Sequence, residues 1–451
     1  MNESRHKPAT AVIAGLGRTG LSCARYLRAH GWRIAVTDTR AAPPGLEQLR
    51  ALDPGIEVRT GGLDAALLDE AVCVVASPGL ALELPFFAEA RRRGLEVFGD
   101  VELFARAAAA PVAGITGTNG KSTVTTLLGR MAERAGVPVR VGGNLGEPAL
   151  DLLTAAERAD RPTELYVLEL SSFQLDTTHS LDLKAAAVLN VTADHLDRYP
   201  SIEAYALSKA HIFERCDTAV GNLDDPLVTR MTRAGQRMLG FSVRGAPEAI
   251  YGILDLGERW LARRGEPLLP LASMRLHGLH NAANALAALA LGEALELPPE
   301  AMVEELREFP GLAHRSQWVA EVAGVTYIND SKGTNVGATL AAVGGLDGPL
   351  VLIAGGEGKN QDFTPLAAAL RGKTRHGVLI GRDAPQLARA LQGVCPLETC
   401  DSMDAAVRAA ARAAHAGDTV LLSPACASLD MFRDYAHRGE AFAAAVEALG
   451  S

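Results

Sequence analysis

Short apolar runs alternate with helical patterns along almost the whole chain, and this alternation limits the possible folds more than any other feature. Each run is bounded by turn residues, and a stretch of helical periodicity follows it, which is typical of successive βαβ units. With 451 residues, the chain has the length of about three domains, each able to bury its own core. We therefore expect an α/β protein of three domains.

The apolar runs fall into three blocks, from which we predict domains at residues 1–99, 100–310 and 311–451. The strands predicted for the first block are Thr10–Gly15, Arg33–Asp38, Ala71–Ala76 and Leu95–Gly99. Asp100 is expected to cap the helix that follows them. The elements predicted for the second block are strands at Val112–Thr116, Tyr166–Leu170 and Ala185–Val191 and helices from Leu279 and over Pro299–Phe309. Those predicted for the third block are strands near Val325–Asn329, Leu350–Ala354, Gly377–Gly381 and Thr419–Ser423. Glycines and prolines punctuate residues 243–270, which favours strands and turns there.

Composition excludes several classes of protein. Hydrophobic residues make up 48% of the chain and charged residues 22%, as in ordinary globular proteins. No apolar run reaches the length of about 18 residues that a membrane span needs, and the first residues lack the apolar core of a signal peptide. The six cysteines are scattered without a C-x-x-C pair, which favours reduced thiols in the cytoplasm. A net charge of −9 argues against a nucleic-acid or membrane partner.

A first glycine-rich loop, Gly-Leu-Gly-Arg-Thr-Gly at residues 15–20, completes the pattern G-x-G-x-x-G between a predicted strand and a predicted helix. Its glycines permit a tight turn, and the helix N-terminus favours a diphosphate. Asp38 ends the next predicted strand, where an acid can bind the ribose diol of NAD. The loop predicts a diphosphate ligand without identifying it, and a tight turn without a ligand is the alternative.

A second loop, Gly-Ile-Thr-Gly-Thr-Asn-Gly-Lys-Ser-Thr at residues 114–123, also joins a strand to a helix. Its backbone N–H groups would hold phosphates, Lys121 would reach the β/γ oxygens, and Ser122 would bind Mg²⁺. Ile115 stands where the pattern G-x-x-x-x-G-K-[ST] has glycine. Two phosphate loops on separate βαβ blocks predict two different nucleotides, which is unusual for a dehydrogenase.

Polar residues at the carboxyl ends of other strands are candidate ligands, because these ends meet at one edge of a sheet. Glu169 ends the run at 166–170 and is a candidate metal ligand. His195 lies among acids after a strand, where a capped loop residue is the alternative, and Lys209 has a solvated lysine as its simplest interpretation. In the third block three loops follow strands, at residues 329–335, 355–359 and 423–428. They predict one cleft with two lysines and a hydroxyl, suited to an anionic ligand.

Six segments, in order, resemble the Mur ligase family: GTNGKST, LELSSFQL, NVTADHLDRYP, HNAANALA, NDSKGTN and SPACASLDMF. Together they cover nearly the whole chain. The pair NDSKGTN and SPACASLD is most similar to the members that add D-glutamate, whereas a DNPR-type motif of the members that add diamino acids is not found in the sequence. The resemblance implies a Rossmann-like N-terminal domain for a UDP-sugar, a central P-loop ATPase-like domain, and a Rossmann-like C-terminal domain for the amino acid.

The resemblance also implies the activity: an ATP-dependent amide ligase of peptidoglycan synthesis that adds D-glutamate to UDP-N-acetylmuramoyl-L-alanine through an acyl phosphate. The residues implied for the UDP-substrate are Gly17, Arg18, Thr19, Asp38, Thr39, Arg40, Ser77, Gly79, Asn144 and Gln174. Those implied for ATP are Gly117, Thr118, Asn119, Gly120, Lys121, Ser122, Thr123, Asn281, Asn284, Arg315 and Asp330. Those implied for D-glutamate are Lys332, Thr334, Lys359, Ser428 and Tyr435, the last through its backbone.

Two Mg²⁺ ions are implied as well, one held by Ser122 and Glu169 and the other by His195 and Lys209. Lys209 would be a carbamate formed with CO₂, and it forms the implied catalytic group with Lys121 and His195. The expected partners are these small molecules alone, without nucleic acid or membrane insertion, and the protein is expected to be a monomer. The alternatives are a folate polyglutamylating enzyme, an NAD-dependent dehydrogenase and a non-catalytic nucleotide-binding switch. A complete domain before the P-loop disfavours the first, and the lysines of the third cleft disfavour the last.

Overall fold

A computed structural model describes residues 10–233, 235–276, 278–346 and 348–449. Residues 1–9 of the predicted first domain and 450–451 of the predicted third domain lie outside the described residues. The described residues form three β-sheets of five, nine and six strands, each packed against helices. The predicted α/β class is thus confirmed, whereas the boundaries at residues 99 and 310 stay predictions.

The first sheet is entirely parallel and has the strand order β3-β2-β1-β4-β5. Its strands are β1 (Thr10–Ala14), β2 (Arg33–Asp38), β3 (Glu57–Thr60), β4 (Ala71–Ala76) and β5 (Glu96–Phe98). Its helices are α1 (Arg18–Ala29), α2 (Leu46–Leu52) and α3 (Pro85–Arg92), with a 3₁₀ turn at Ala65–Asp69. This order reverses direction between β1 and β4, which is where doubly wound sheets bind ligands.

The second sheet has nine strands in the order β14-β13-β12-β11-β10-β9-β6-β8-β7. Its strands are β6 (Val112–Thr116), β7 (Val139–Gly143), β8 (Leu165–Glu169), β9 (Leu183–Val188), β10 (Cys216–Asn222), β11 (Arg237–Phe241), β12 (Tyr251–Asp255), β13 (Arg259–Arg263) and β14 (Glu266–Pro270). Its helices, after α4 (Asp100–Ala105), are α5 (Lys121–Arg134), α6 (Ala149–Glu157), α7 (Ser172–Leu175), α8 (Ile202–Ala210), α9 (Leu279–Ala294) and α10 (Pro299–Glu308). Strands β12 to β14 are antiparallel, which confirms the strands and turns predicted for residues 243–270.

The third sheet has the order β15-β16-β20-β17-β18-β19, with only the edge strand β15 antiparallel. Its strands are β15 (Gln317–Val322), β16 (Val325–Asn329), β17 (Leu350–Gly355), β18 (Thr374–Ile380), β19 (Leu397–Cys400) and β20 (Thr419–Leu422). Its helices are α11 (Val336–Gly344), α12 (Thr364–Leu370), α13 (Ala384–Ala390), α14 (Met403–Ala413) and α15 (Tyr435–Glu447). Apolar side chains cover both faces of this sheet.

Helix α4 connects the first sheet to the second. Gly99 is its N-cap residue, and Asp100 is already inside the helix, so the prediction that Asp100 caps it is wrong. The Asp100 side chain is buried and instead accepts a hydrogen bond from Nε2 of Gln174 at 3.3 Å. Glu102 accepts the backbone N–H groups of His179 and Ser180 at 2.7 and 2.9 Å. These contacts attach α4 to the part of the chain that forms the second sheet.

One apolar core extends across the first two sheets. It joins residues of β1 and α1 to residues of α4, α6 and β8, so these two parts of the chain are packed together rather than linked by a free tether. None of the helices within the described ranges is long and apolar enough to cross a membrane.

Candidate active site

The loop between β6 and α5 is wrapped around the amine of Lys121. Nζ of Lys121 donates to the carbonyl oxygens of Gly117 at 2.8 Å and Thr118 at 2.9 Å. Gly117 and Gly120 have φ values of +146° and +85°, a region that glycine enters without the steric cost of a Cβ. A Cβ on Gly120 would also collide with the Asn284 side chain. Burial lowers the pKa of Lys121, as expected for a cation held away from water.

Ser122 lies at the centre of a polar cluster beside this loop. Its Oγ donates to Oε2 of Glu169 at 2.6 Å and accepts from Nη2 of Arg315 at 2.7 Å. The other carboxylate oxygen of Glu169 accepts from Nδ2 of Asn144 at 2.7 Å. Glu169 is 3% exposed, and it lies at the end of β8, as the strand-end pattern predicts. A residue from beyond the second sheet, Arg315, thus reaches the phosphate loop.

Lys209 is enclosed beside the same loop. Its side chain is 1% exposed, and Nζ donates to the carbonyl oxygen of Gly117 at 3.0 Å and lies 4.4 Å from the ring centre of Tyr205. Burial, and then the charge of Lys121, hold the pKa of Lys209 well below its usual value. The simplest interpretation of the sequence, a solvated lysine, is wrong, because α8 turns this side chain into the core beside the P-loop.

His195 stands at the edge of an aromatic group. Its ring meets Phe173 edge-on at 5.0 Å between centroids, and Tyr205 lies at 6.1 Å. Burial lowers the pKa of His195, and Nε2 lies 3.8 Å from Oδ2 of Asp194. Its φ of +55° is unusual for a residue other than glycine, and such backbone strain persists only where surrounding contacts fix it.

The three loops at the end of the third sheet meet, as the strand-end pattern predicts. The backbone of Glu357 exchanges hydrogen bonds with that of Ala427 at 2.8 and 3.0 Å, and the N–H of Ala425 donates to Gly333 at 2.9 Å. Nζ of Lys332 lies 3.8 Å from the ring centre of Tyr435. Burial, and then the charge of Arg315, lower the pKa of Lys332 to about 8.

The remaining residues predicted for the amino acid line the same region. Ser428 is buried, while Thr334 and Tyr435 are half-buried. Nζ of Lys359 lies 3.9 Å from Oδ1 of Asp194, so this lysine connects the third sheet to the loop that carries His195. The third sheet therefore faces the P-loop rather than open solvent.

A cavity of about 570 Å³ extends from the P-loop between the second and third sheets. The lining includes seven residues predicted for ATP and one, Lys332, predicted for D-glutamate; the seven are Asn119, Gly120, Thr123, Asn281, Asn284, Arg315 and Asp330. Burial raises the pKa of Asp330 to about 6, although Ser423 donates to its carboxylate at 2.8 Å. The cavity has the volume of a pocket for a ligand of drug or cofactor size.

Asp38 shapes the first glycine-rich loop. Its carboxylate accepts the backbone N–H of Leu16 at 2.7 Å and the Nε and Nη2 groups of Arg40 at 2.9 and 2.7 Å. Burial alone would raise the pKa of Asp38, but the hydrogen bonds from Arg40 and Leu16 outweigh it and lower the pKa to about 2. Ser77 closes the loop from β4 by donating to the carbonyl oxygen of Gly15 at 2.9 Å.

Other residues predicted for the UDP-substrate are spread over this edge. Gly17 and Thr19 are half-buried in the loop, Thr39 and Gly79 are exposed, and Arg18 donates to the carbonyl oxygen of Gly146. Gln174 is different, because its buried side chain already bonds Asp100 and the N–H of Ser171. The structure therefore places Gln174 in the junction around α4, with its amide committed to protein groups.

Sequence comparisons follow the same three-part division. Three protein-family models match the sequence. The family model described as "Mur ligase MurD-like, N-terminal domain" matches residues 9–99, the one described as "Mur ligase middle domain" matches residues 115–292, and the one described as "Mur ligase, glutamate ligase domain" matches residues 314–426. The chain belongs to the Mur ligase family.

Relatives of this Mur ligase match it over nearly its full length. A UDP-N-acetylmuramoylalanine–D-glutamate ligase of Methylococcus capsulatus is 51% identical over 97% of this chain and 94% of its own. A protein of the same name from Nitrosococcus oceani is 52% identical, over 97% and 96% of the two chains.

Solved structures share its fold at low identity. A UDP-N-acetylmuramate-alanine ligase from Thermotoga maritima superposes with a TM-score of 0.61 at 16% identity, covering 98% of this chain and all of its own. The MurF ligase of the same organism, in complex with ADP, gives a TM-score of 0.60 at 17% identity, covering 85% and 91% of the two chains. These likenesses show the three-domain fold alone.

Two features of this Mur ligase escaped sequence reasoning. Asn222, the last residue of β10, and Asp224, Asp225 and Pro226 after it line the cavity. Their polar pattern at the end of an apolar run is a signal that could have identified them. Arg438 on α15 is fully buried. It donates to both oxygens of Ser331 and to the carbonyl oxygens of Cys426, Ala427 and Gly355. A lone arginine in a helical pattern gives no signal of that role.

Proposed function

We infer that the protein is an ATP-dependent ligase that joins D-glutamate to UDP-N-acetylmuramoyl-L-alanine in peptidoglycan precursor synthesis. The observation that carries this inference is identity of 51–52% over 97% of the chain to two ligases of that name. The order of sites along the chain supports it. A diphosphate loop, a triphosphate loop and a cleft with buried cations suit a nucleotide-sugar, ATP and an acidic amino acid.

The reaction needs an activated acid, because a carboxylate oxygen is a poor leaving group for an amine to displace. In the first step an oxygen of the alanyl carboxylate attacks the γ-phosphorus of ATP, and the bond to the ADP oxygen breaks. Lys121, at the head of α5, would neutralise charge on the transferred phosphoryl group. In the second step the amine nitrogen of D-glutamate attacks the acyl carbon, phosphate leaves, and the amine proton passes to solvent.

Mg²⁺ fits the chemistry of the donors beside the P-loop. Ser122 and Glu169 offer hard oxygen atoms within hydrogen-bonding distance of one another, and Mg²⁺ in such sites uses one or two carboxylates together with substrate phosphates. Within the described residues no group of three or more His, Cys, Asp and Glu side chains is arranged to hold a metal ion. Phosphate oxygens of the bound nucleotide would complete the coordination of the ion. Bound there, the ion would screen the charge of the phosphates.

Lys209 is proposed to carry a carbamate and, with His195, to hold a second Mg²⁺. Carbamate formation needs a neutral amine, whose nitrogen attacks the carbon of CO₂ and then loses a proton. Burial, and then the neighbouring Lys121, lower the pKa of this amine and so favour its neutral form, which supports the proposal. The product is an anion, which would relieve the repulsion between the two lysines and supply oxygen ligands.

The remaining residues are proposed to position the substrates. The first glycine-rich loop with Asp38, Thr39, Arg40, Ser77 and Gly79 would surround the UDP group, and Asn144 would face the muramoyl side. Gln174 would act there only indirectly, through its hydrogen bonds to Asp100 and Ser171. The cavity beside Asn281 and Asn284 would take adenosine. Lys332, Thr334, Lys359, Ser428 and the backbone of Tyr435 would take D-glutamate, whose two carboxylates match the cationic cleft.

The test is ADP release by purified protein supplied with ATP, Mg²⁺, UDP-N-acetylmuramoyl-L-alanine and one candidate amino acid at a time. We expect release with D-glutamate, little with L-glutamate, and none when the nucleotide-sugar lacks alanine. Mass spectrometry should find the nucleotide-sugar extended by one glutamyl residue. Lys121→Met should abolish release, whereas Lys184→Met, on an exposed lysine of β9, should not. Folded protein that releases no ADP in the complete mixture would contradict the proposal.

We further propose that the enzyme works as a monomer in the cytoplasm, where ATP is available. All six cysteines are free thiols in the structure, which agrees with a reducing compartment. Light scattering at micromolar concentration and fractionation of cells that express the protein test these two points.

A further inference from the structure

Arg198 joins the loop of His195 to the first sheet. Its guanidinium donates from Nη2 to the carbonyl oxygen of Leu80 at 3.0 Å and from Nη1 to that of Gly79 at 3.4 Å. Both carbonyls belong to the turn after β4, which carries Ser77 beside the first glycine-rich loop. Arg198 itself lies in the loop after β9, in the second sheet. It therefore spans two parts of the chain that hold different substrates in the proposed function.

The same residue fixes the backbone of His195. The N–H of Arg198 donates to the carbonyl oxygen of His195 at 2.9 Å, and the N–H of Tyr199 donates to that oxygen at 3.1 Å. His195 has a φ of +55°. A non-glycine residue in that region costs about 1–3 kcal/mol and persists only where surrounding contacts hold it there. The position of Arg198 is thus coupled to the strained conformation that aims the imidazole.

The side chain of Arg198 also contacts the aromatic group around His195. Its guanidinium carbon lies 4.5 Å from the ring centre of Phe173, a cation–π distance. Phe173 meets the His195 ring edge-on at 5.0 Å and stacks on Tyr199 at 5.7 Å, and Tyr205 connects this group to Lys209 at 4.4 Å. A movement of the turn after β4 would therefore shift His195 in two ways. One is through the backbone hydrogen bond between Arg198 and His195, and the other is through the Phe173 ring that packs between their side chains.

We propose that Arg198 is a positioning residue that sets where the nucleotide-sugar turn stands relative to His195 and Lys209. The nucleotide-sugar would bind at the first sheet, and its alanyl carboxylate must reach the γ-phosphate of ATP at the loop between β6 and α5. Arg198 would hold the two binding regions at the distance and orientation that this attack needs. A displacement of about 1 Å between reacting groups can cost a hundredfold in rate. This inference rests on the proposed function, and it assigns Arg198 to the geometry between substrates rather than to binding of either one.

The variants Arg198→Ala, Arg198→Lys and Arg198→Gln test the proposal in the full chain. For Arg198→Ala and Arg198→Gln we expect kcat to fall roughly ten- to a hundredfold. The KM for ATP and the affinity for UDP-N-acetylmuramoyl-L-alanine, measured calorimetrically without ATP, should change less than about threefold, because no binding contact is lost. Arg198→Lys keeps the charge without the planar fork and should recover part of kcat.

Arg25→Ala is the matched control. Nη2 of Arg25 bonds Oδ2 of Asp151 at 2.6 Å, so this variant removes an arginine contact between the same two parts of the chain but away from Phe173. It should keep wild-type kcat. Phe173→Leu should lower kcat as Arg198→Ala does, and the double variant should be no worse than the single variants, since residues that act through one contact are not additive.

The outcomes separate this inference from the proposed function. If the wild type releases no ADP, the proposed function fails and this inference fails with it. If the wild type is active but Arg198→Ala matches Arg25→Ala, only the positioning role is wrong. A variant of Arg198 that binds the nucleotide-sugar more weakly at unchanged kcat would show that Arg198 is a substrate ligand, and this would overturn the proposal. The proposal would also be overturned if the losses of kcat in Arg198→Ala and Phe173→Leu added up in the double variant. If Arg198→Ala unfolds at a lower temperature than the wild type, Arg198→Lys and Arg198→Gln decide the matter.

Discussion

Replacing Lys209 with methionine should remove most of the activity and leave the fold at least as stable. The lysine side chain is 1% exposed, and its Nζ bonds the carbonyl oxygen of Gly117 at 3.0 Å. Methionine fills nearly the same volume without the cost of burying an amine, which is about 1–3 kcal/mol for a poorly compensated polar group. The free energy of unfolding should therefore stay the same or rise. Lys209→Ala also loses about three methylenes, at ~0.8 kcal/mol each, and should be about 2 kcal/mol less stable than Lys209→Met.

Activity should respond in the opposite way to stability. If Lys209 carries the proposed carbamate, both variants lose one charged group aimed at the phosphoryl transfer, and removing one such group should cost about 10²–10³ in kcat. Formate or acetate should partly restore ADP release by Lys209→Ala, which leaves a space, but not by Lys209→Met, which fills it. In the wild type, ¹³C-labelled bicarbonate should give a carbamate signal by NMR that is lost in both variants.

Normal turnover by Lys209→Met would refute this reasoning, because methionine cannot react with CO₂. Equal rescue of both variants by formate would also refute it, since the added carboxylate would then act somewhere other than the vacated space. A destabilised Lys209→Met would show that the buried amine contributes more by its contacts than its burial costs.

Two further results follow from the third sheet. Burial lowers the pKa of Lys332 to about 8, so its cationic form is present below that pH and is lost above it. The KM for D-glutamate should therefore rise as the pH passes about 8. Lys332→Arg, whose side chain stays charged, should move this rise to higher pH. Arg438→Met should deprive the carbonyl oxygens of Ser331 and Cys426 of a donor, costing about 1–3 kcal/mol of stability. It should also raise the KM for D-glutamate more than that for ATP, and calorimetric unfolding and initial rates would show both effects.

The sequence located much of the site because parallel strands gather their carboxyl ends at one edge. Glu169 and the loops at 329–335, 355–359 and 423–428 each follow an apolar run, and βαβ connectivity alone brings such positions together. The structure adds the hydrogen bonds between the loops. The same logic would have reached residues 222–226 had the run at β10 been identified as a strand.

What the sequence could not give depends on tertiary packing. Short or amphipathic strands such as β3, β15 and β19 escaped prediction because their apolar pattern is weak and pairing with a neighbour stabilises them. The sequence predicted Asp100 as the N-cap of α4. In the structure Gly99 is the N-cap, and the Asp100 side chain is buried with a hydrogen bond from Gln174. Lys209 looked solvated, because nothing in the sequence shows which face of α8 is turned inward.

The charge of the assembled site explains why these side chains belong to one mechanism. Near the P-loop the described residues bring together four cationic side chains and three carboxylates: Lys121, Arg315, Lys332 and Lys359 with Glu169, Asp194 and Asp330. Burial lowers the pKa of Lys121 and Lys332, so the protein alone holds these two charged amines at a cost. A triphosphate brings further negative charge, and its binding should favour the charged forms of Lys121 and Lys332 and the contacts of Arg315 and Lys359 that close the third sheet onto the second. A nucleotide that draws the third sheet towards the P-loop would also bring the amine of the amino acid to the acyl phosphate. Binding of ATP would then serve both the phosphoryl transfer and the attack of the amine that follows it.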